Sequence, residues 1–305
     1  MREAAPPTDR APACPGPDSD PSRPTRFAVP AGAVDTHAHV IGLPPSHPFV
    51  ASRSYTPPAA GAERYLAMLD ATGMTYGVLV QVSVHGTDNS LMVETLTANR
   101  DRLRGIAVIP LGLPDSRLAE LKEAGVVGLR LNILYGGGIG FDQLEDYAAL
   151  AREMGWHLQF LIDAKDLPPL APQLARLPVP FVVDHWGHFP VSRGLADPGF
   201  RTLVSLVRDG AWVKLSGAYR NTVEGPPYAD TVPFARLLHE AAPERCVWGS
   251  DWPHVAHWRH MMNVGELLDL LADWVPDPAA RDRVLTQNAQ RLYGFNPASA
   301  GTSRA

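Results

Sequence analysis

VVGLRLNILYGGGIGFDQLEDYAALAREM, residues 126–154, contains a short apolar run followed by a helical pattern. The run at 126–133 is nearly continuous in Val, Leu and Ile, which is typical of a strand covered on both faces, as in a parallel sheet. The second half places apolar side chains on one face of a helix, at Phe141, Leu144, Tyr147, Ala148 and Ala151. The glycines at 136–138 are not followed by Lys, so they indicate a flexible loop rather than a phosphate cradle. The stretch therefore predicts one strand–loop–helix unit.

Units of this kind recur along the chain on both sides of that stretch. The apolar runs lie at 33–41, 76–83, 105–111, 126–133, 157–162, 180–185, 211–216 and 245–250, and helical patterns between them include 63–71, 89–99, 141–154, 198–208 and 228–241. Eight such units in 305 residues favour an α/β fold of the (β/α)₈ TIM-barrel type, with an open doubly wound sheet as the alternative. No G-x-G-x-x-G turn follows the first run, which weakens a dinucleotide-binding interpretation.

Composition narrows the class of protein. Apolar residues make up 45% and charged residues 19%, enough for a sizeable core. The net charge is −5 without a basic stripe, so nucleic acid is not an expected partner. No apolar run approaches a membrane span, and the N-terminus has no apolar signal-peptide core. Two cysteines, Cys14 and Cys246, do not form a disulfide framework. We therefore expect a cytoplasmic protein that contacts no membrane.

The two ends of the chain differ in composition from its centre. Residues 1 to about 28 are rich in Pro, Asp, Arg and Ser and have almost no large apolar side chains, which predicts a disordered tail. The last residues, from 296 to 305, resemble them and are expected to be flexible. The sequence thus predicts a single barrel domain over residues 29–295.

Reactive side chains lie at the ends of three predicted strands, and the active site of a barrel lies at the carboxyl ends of its strands. His37 and His39 end the first run and, two residues apart, point to the same side. His185 directly follows the sixth run, and Asp251 follows the eighth between two tryptophans. Taken singly, His37 and His39 could be surface histidines, His185 a structural histidine, and Asp251 the cap of a helix. Together they predict one catalytic cluster at one end of the barrel.

Several segments carry a resemblance to a known family. Residues 35–39 (DTHAH), 184–187 (DHWG) and 248–254 (WGSDWPH) resemble the amidohydrolase superfamily. Residues 80–89 (VQVSVHGTDN) and 128–132 (GLRLN) are similar to segments of its 2-pyrone-4,6-dicarboxylate lactonase group. The resemblance extends over essentially all of residues 29–295.

The resemblance implies a hydrolase that opens a lactone bearing a carboxylate, in the catabolism of aromatic compounds or sugar acids. Asp251 would be the general base for a water, while His37, His39 and His185 would surround the attacked carbonyl and donate hydrogen bonds to the developing oxyanion. The residues implied to contact the substrate and its carboxylates are Tyr55, Ser83, His85, Arg130 and Arg220.

Two positions depart from the pattern of the lactonases that accept the pyrone dicarboxylate. Those enzymes carry a second Arg six positions after the one matched by Arg130, where this chain has Gly136, and a Tyr where this chain has Leu161. Loss of such donors typically costs roughly 1.5–3 kcal/mol in binding a carboxylate. The departures favour a related lactone with fewer anionic groups.

The resemblance also bears on metal use. Metal-rich members of the superfamily place a Lys or Glu on the fourth strand and a His on the fifth, and this chain has neither. The lactonase group works without a divalent ion, so no cofactor is predicted to be required. A single zinc held by His37, His39, His185 and Asp251 is the alternative.

Two other functions fit the same cluster. A metal-dependent non-oxidative decarboxylase of an aromatic acid would use a similar His–Asp set on the same barrel, and would release CO₂. A binding or regulatory protein that has lost the chemistry is the second, and the intact set of four residues argues against it.

Overall fold

The structure is a computed structural model and describes residues 11–296. Eight strands form one parallel sheet in chain order: β1 Val34–Ala38, β2 Tyr76–Val80, β3 Leu103–Ala107, β4 Val126–Asn132, β5 His157–Leu161, β6 Phe181–Val183, β7 Trp212–Leu215 and β8 Cys246–Trp248. Each strand pairs with the next, as in the register of Gly128 with His157 and of Asn132 with Leu161 between β4 and β5. This confirms the predicted (β/α)₈ TIM barrel.

The barrel closes between β8 and β1 through the backbone that follows β8. The amide of Asp251 donates to the carbonyl of His37, and the amide of His39 donates to the carbonyl of Trp252, both over 2.8 Å. The Thr36 hydroxyl donates to the carbonyl of Trp248 over 2.8 Å. Closure therefore uses the same residues that carry the predicted catalytic motifs.

Helices separate consecutive strands and cover the outside of the barrel. The longer ones are α1 Ala62–Thr72, α2 Ser90–Ala98, α3 Asp115–Ala124, α4 Leu144–Met154, α5 Leu167–Leu174, α7 Pro198–Arg208 and α9 Val232–Ala241. Two four-residue turns, α6 His185–His188 and α8 Ala218–Asn221, follow β6 and β7, and the chain continues as α10 Val264–Asp269, α11 Leu271–Trp274, α12 Pro278–Leu285 and α13 Gln287–Tyr293. Pro198 begins α7 at the position where its missing N–H has no helical partner, and Asp197 caps that helix through Gly199.

Burial divides the apolar side chains into two clusters. The larger one packs the helices on the sheet, and the apolar face predicted for residues 141–154 lies in it. The smaller one joins Ala289 and Tyr293 of α13 to strand residues such as Val78 and Val247. Four buried polar residues on β4, β5 and β7 and directly after β6 contact one another, so they lie inside the barrel: Arg130, Gln159, Lys214 and Asp184.

The N-terminal segment at residues 11–28, which composition predicted to be a disordered tail, contains no helix or named strand and lies against the barrel. Its main-chain groups find partners on the barrel, through the pairs Ala13 with Trp258, Cys14 with Thr56, Ser22 with Asn263 and Thr25 with Asp269. Composition predicted disorder because the segment has few apolar side chains, and in the structure main-chain and side-chain groups of the barrel bond to its backbone. Residues 1–10 and 297–305, the remainder of the two predicted tails, lie outside the described residues.

Candidate active site

His37 and His39 both lie buried at the carboxyl end of β1, as the spacing predicts. Asp35, two residues earlier, holds this end of the strand against the start of the loop after β8. Its carboxylate accepts hydrogen bonds from the amide and the hydroxyl of Ser250, each over 2.7 Å, and from the Tyr65 hydroxyl over 3.1 Å. Burial raises the pKa of Asp35 to about 6 despite these donors.

The side chain of His39 is fixed by the neighbouring strand. Its Nδ1 lies 2.7 Å from the carbonyl oxygen of Val80 at the end of β2. A carbonyl oxygen only accepts, so Nδ1 carries the proton and donates. Burial, with the charges of His37 and Arg130, holds the pKa of His39 well below its usual value, which keeps the ring neutral. The Nε2 of His39 is then an acceptor, whereas the sequence predicted a donor to an oxyanion.

His185 begins the turn after β6 and points back toward His37. The two rings lie with centroids 4.5 Å apart. The Nδ1 of His185 is hydrogen bonded to the Ser216 hydroxyl over 2.8 Å. Its backbone φ of 49° lies in the left-handed region, which is costly for a residue with a side chain and concentrates at functional sites.

Asp251 also occupies the left-handed region, with φ 60°, and its carboxylate completes the cluster. Its Oδ1 lies 3.6 Å from Nε2 of His185, 3.8 Å from Nε2 of His37 and 3.9 Å from Nε2 of His39. No hydrogen bond to this oxygen is present within residues 11–296. The helix-capping explanation does not apply, because the next helix, α10, begins only at Val264.

The second oxygen of Asp251 is fully engaged. Nε of Arg220 donates to Oδ2 over 2.7 Å, and the hydroxyl of Tyr219 donates to the same atom. Burial opposes ionisation, but the charge of Arg220 holds the pKa of Asp251 well below its usual value. Burial likewise lowers the pKa of His37 to about 4 and that of His185 well below the usual value. At neutral pH the site is an ionised carboxylate among neutral imidazoles.

Below the cluster lies a charged network inside the barrel. Nζ of Lys214 donates to the carbonyl of Thr36 over 2.7 Å and to Oε1 of Gln159 over 2.9 Å, and it lies 3.1 Å from Nδ1 of His37. Nε2 of Gln159 donates to Oδ2 of Asp184 over 3.1 Å. The sequence did not predict the contact of Lys214 with His37, because strand position alone does not tell which neighbour a long side chain reaches.

The predicted substrate-binding residues lie on one strand and on the loops and turns that follow other strands. Arg220 contacts Asp251 directly and places a second nitrogen 3.3 Å from the Tyr135 hydroxyl. Arg130 lies deeper, with Nε 3.6 Å from Oδ2 of Asp184. This ion pair fits the structural role that an Arg in a barrel strand can have, and its contact with substrate stays a prediction.

The other three predicted contacts belong to the rim. Ser83 accepts a hydrogen bond from the Asn132 amide over 2.9 Å. His85 places Nδ1 3.2 Å from the carbonyl oxygen of Pro48, and its buried Nε2 has no partner among the described residues. Tyr55 is buried with its ring against that of Tyr135. Their roles toward a substrate stay predictions.

The structure adds residues that the sequence did not single out. Tyr219 is the clearest, because its hydroxyl reaches Asp251 although it precedes Arg220 in a short turn. His188 stacks edge-on against His185 at 5.2 Å, and His254 packs against Tyr219 at 5.6 Å. A Tyr or His in a loop carries no periodic signal, and only the folded loops bring these side chains to the cluster.

The cluster has the donor set of a metal site in part. Ligand atoms of His37, His39 and Asp251 all lie within 4.8 Å of one another. Such a set could hold a metal ion, and His185 lies beside it. The arrangement of three imidazoles and a carboxylate around one small volume is also that of an acid–base site for hydrolysis.

Comparison with known proteins identifies the family of the barrel. A family model described as amidohydrolase matches residues 34–295. The chain belongs to the amidohydrolase family. It is 38% identical over 296 residues to a 4-sulfomuconolactone hydrolase of Rhizobium radiobacter, covering 94% of this chain and 99% of the relative.

Two further relatives extend this finding within the amidohydrolase family. A 2-pyrone-4,6-dicarboxylate hydrolase of Comamonas testosteroni is 35% identical over 90% of this chain and 94% of its own length. A solved structure from Acinetobacter baumannii, assigned as a 2-pyrone-4,6-dicarboxylic acid hydrolase and holding citric acid, superposes with a TM-score of 0.78 at 29% identity, over 87% of this chain and all of the other. The described part of this amidohydrolase contains no helix of the length and hydropathy that a membrane span needs.

Proposed function

We propose that this amidohydrolase opens an anionic lactone by water attack on its carbonyl. One observation carries the proposal: Oδ1 of Asp251, buried and without a hydrogen-bond partner among residues 11–296, faces three imidazole Nε2 atoms at 3.6 to 3.9 Å. These gaps are too long for direct hydrogen bonds, and a water beside the cluster can donate to Oδ1 while it contacts an Nε2 atom. The relatives at 35% and 38% identity are named as hydrolases of lactones.

Asp251 acts as the general base. Its carboxylate is ionised at neutral pH, and Arg220 and Tyr219 hold it through Oδ2 so that only Oδ1 faces the site. A water beside Oδ1 can give up a proton as it attacks the lactone carbonyl. The protonated carboxyl then returns that proton to the ring oxygen when the ester bond breaks, which leaves a hydroxy acid or its keto tautomer.

The imidazoles polarise the carbonyl under attack. An Nε2–H directed at the carbonyl oxygen stabilises the negative charge that develops there, and a dry site makes this stabilisation strong. His37 and His185 are buried beside Asp251, so a carbonyl oxygen between them is shielded from bulk water. The mechanism needs no metal, and we propose that none is required. The ends of β4 and β5 carry Asn132 and Leu161 in place of the Lys or Glu and the His of metal-rich family members.

The substrate class follows from charge and space at the mouth. Arg220 offers a guanidinium whose donors suit a carboxylate or a sulfonate. At Gly136, the position of the second Arg in the pyrone dicarboxylate enzymes, an added Cβ would lie 1.8 Å from the carbonyl oxygen of Ser52. A side chain there is incompatible with this loop, so that anion-binding subsite is lost. A lactone of the muconolactone type, as named for the relative at 38% identity, with fewer anionic groups fits better than the pyrone dicarboxylate.

The test is a pH-indicator screen of muconolactone-type butenolides, sugar lactones and pyrone carboxylates with chelator-treated protein. Wild-type protein is expected to release one proton per lactone opened, and Asp251→Asn to lose about 10²–10⁴-fold in kcat. The exposed Asp209→Asn serves as the matched control and keeps full activity.

Other outcomes would overturn the proposal. CO₂ release from an aromatic acid without lactone opening would establish the decarboxylase instead. An unchanged rate on every lactone in Asp251→Asn would exclude the proposed base.

A further inference from the structure

The two histidines of the His-x-His motif have different hydrogen-bonding partners on their Nδ1 atoms. His39 donates through Nδ1 to the carbonyl of Val80, so its Nε2 faces the site as an acceptor. His37 instead has Nδ1 at 3.1 Å from Nζ of Lys214. A protonated amine has three donors and no acceptor, so this contact requires Nδ1 of His37 to accept.

The burial and the hydrogen bonds of Lys214 suit it to be that donor. Lys214 is fully buried with the Asp184 carboxylate 3.3 Å from its amine, which is the environment of a protonated ammonium group. Two of its protons go to pure acceptors, the carbonyl of Thr36 and Oε1 of Gln159. The amide of Gln159 is held in that orientation because its other end donates to Asp184. The third proton is directed at Nδ1 of His37.

Asp184 is the competing partner of His37. Its Oδ1 lies 3.3 Å from Nδ1 of His37 and 3.3 Å from Nζ of Lys214. A proton on Nδ1 directed at this oxygen would give the common carboxylate–histidine pair and leave Nε2 as a metal-binding lone pair. The geometry favours Lys214 over that pair, because Nδ1 of His37 lies closer to Nζ of Lys214, at 3.1 Å, than to Oδ1 of Asp184, and only the contact with Lys214 has hydrogen-bond geometry among the described residues.

We infer that Lys214 is a positioning residue that holds His37 as the Nε2–H tautomer, while the Val80 carbonyl holds His39 as the opposite tautomer. The two histidines then have different tasks. His37 donates to the lactone carbonyl, and His39 accepts a hydrogen bond from the attacking water beside Asp251. This division of tasks rests on the proposed lactone hydrolysis, but the tautomers themselves do not.

The tautomers assigned to His37 and His39 also determine whether the cluster can bind a metal ion. A zinc ion bound by His37, His39 and Asp251 needs a lone pair on Nε2 of both imidazoles. With Nε2 of His37 protonated, one of the two is missing. The spacing of the ligand atoms suits an ion, but the hydrogen-bonding state set by Lys214 does not.

The first test is a measurement on the wild-type protein. ¹⁵N-histidine NMR distinguishes protonated from unprotonated ring nitrogens, and His37→Gln and His39→Gln variants assign the two rings by loss of their signals. At pH 7 we expect His37 to carry its proton on Nε2 and His39 on Nδ1. A proton on Nδ1 of His37 would overturn the inference, even in a protein that hydrolyses lactones. Failure of every lactone substrate with the expected tautomers would overturn the proposed function alone.

The second test removes the donor. Lys214→Met is expected to move the His37 proton to Nδ1, facing Asp184, and to lower kcat by about 10²–10³-fold with KM nearly unchanged. The variant should also gain zinc, measured by elemental analysis after addition of one equivalent. Arg281→Met, which removes a buried cation bonded to main-chain carbonyls of Val275 and Pro276, is the matched control and should change neither tautomer nor zinc content. An unmoved His37 proton in Lys214→Met would overturn the inference, and if that variant does not fold the wild-type spectrum decides alone.

Discussion

Asp251 shows how one residue obtains two functions from its two oxygens. Oδ2 is held by Arg220 and Tyr219, which fixes the carboxylate in place, while Oδ1 faces the imidazoles. The left-handed backbone at this residue turns the side chain into the mouth, and neighbouring contacts compensate its cost. A single Arg therefore holds the proposed base, and we propose that it also offers its charge to the substrate.

Arg220→Met tests this double role. Loss of a charge-assisted hydrogen bond to an anionic group should raise KM for an anionic lactone by roughly 10–100-fold, from about 1.5–3 kcal/mol of binding. A neutral lactone of the same ring size should show little change in KM. Any change in kcat should be shared by both substrates, because it reports the contact with Asp251. Steady-state kinetics on the two lactones measures this.

Arg193→Met, which removes a partly exposed Arg paired with Asp197, is the control and should leave both substrates unaffected. An equal rise in KM for the neutral and the anionic lactone would show that Arg220 does not bind the anion.

The residues at the centre of the candidate site could be predicted because they follow strands. The residues that contact and hold them could not. His37, His39, His185 and Asp251 follow apolar runs, so the sequence places them at one barrel end before any contact is known. Lys214 lies within a strand and Tyr219 within a loop, and both gain their roles from partners far along the chain. Long-range hydrogen bonds of this kind leave no local pattern to detect.

At the scale of elements, short strands and tight turns position the catalytic side chains. β6 and β8 have three residues each, shorter than the runs that predicted them, because the chain leaves the sheet early to form left-handed turns at His185 and Asp251. The helices were predicted to within a few residues where their periodicity is strong, as for α7, Pro198–Arg208. Periodicity could not predict that residues 11–28 lie against the barrel, because hydrogen bonds rather than apolar packing hold them.

The turn after β7 gives a test at this scale. Gly217 has φ 67°, and an added Cβ would lie 3.0 Å from Nδ1 of His185. Gly217→Ala should lose roughly 1–2 kcal/mol of stability from the left-handed backbone, and it should also displace His185 and lower kcat. Urea unfolding and steady-state kinetics measure the two effects separately.

Gly155 provides the matched control. It has φ 71° at the end of α4, and nothing lies within 4 Å of an added Cβ. Gly155→Ala should lose similar stability and keep its kcat. If both variants kept full kcat, the close approach of Gly217 to His185 would have no role in positioning the His185 ring.

Across the whole molecule, buried histidines make stability depend on pH. Burial is the largest cause that lowers the pKa of His37 and His254 to about 4 and that of His157 and His188 to about 3. In the unfolded chain these rings bind protons near pH 6.5. Between about pH 6.5 and 4 the unfolded state therefore binds more protons, so the free energy of unfolding falls as the pH is lowered through this window. Asp35 acts in the opposite direction and offsets about one of these protons, since its raised pKa of about 6 means that the folded state takes up its proton first.

We expect urea unfolding at pH 7, 6 and 5 to show a free energy that decreases progressively, with each buried histidine contributing about 1.4 kcal/mol per pH unit once the pH is below 6.5. His157 lies at the start of β5, with its ring against Tyr293 rather than in the catalytic cluster, so it isolates one contribution. His157→Gln should reduce the slope by the equivalent of one proton while the protein remains active. A free energy of unfolding that does not change from pH 7 to 5 would mean that the folded barrel admits protons to these rings, and a neutral imidazole set around Asp251 would then be excluded at mildly acidic pH.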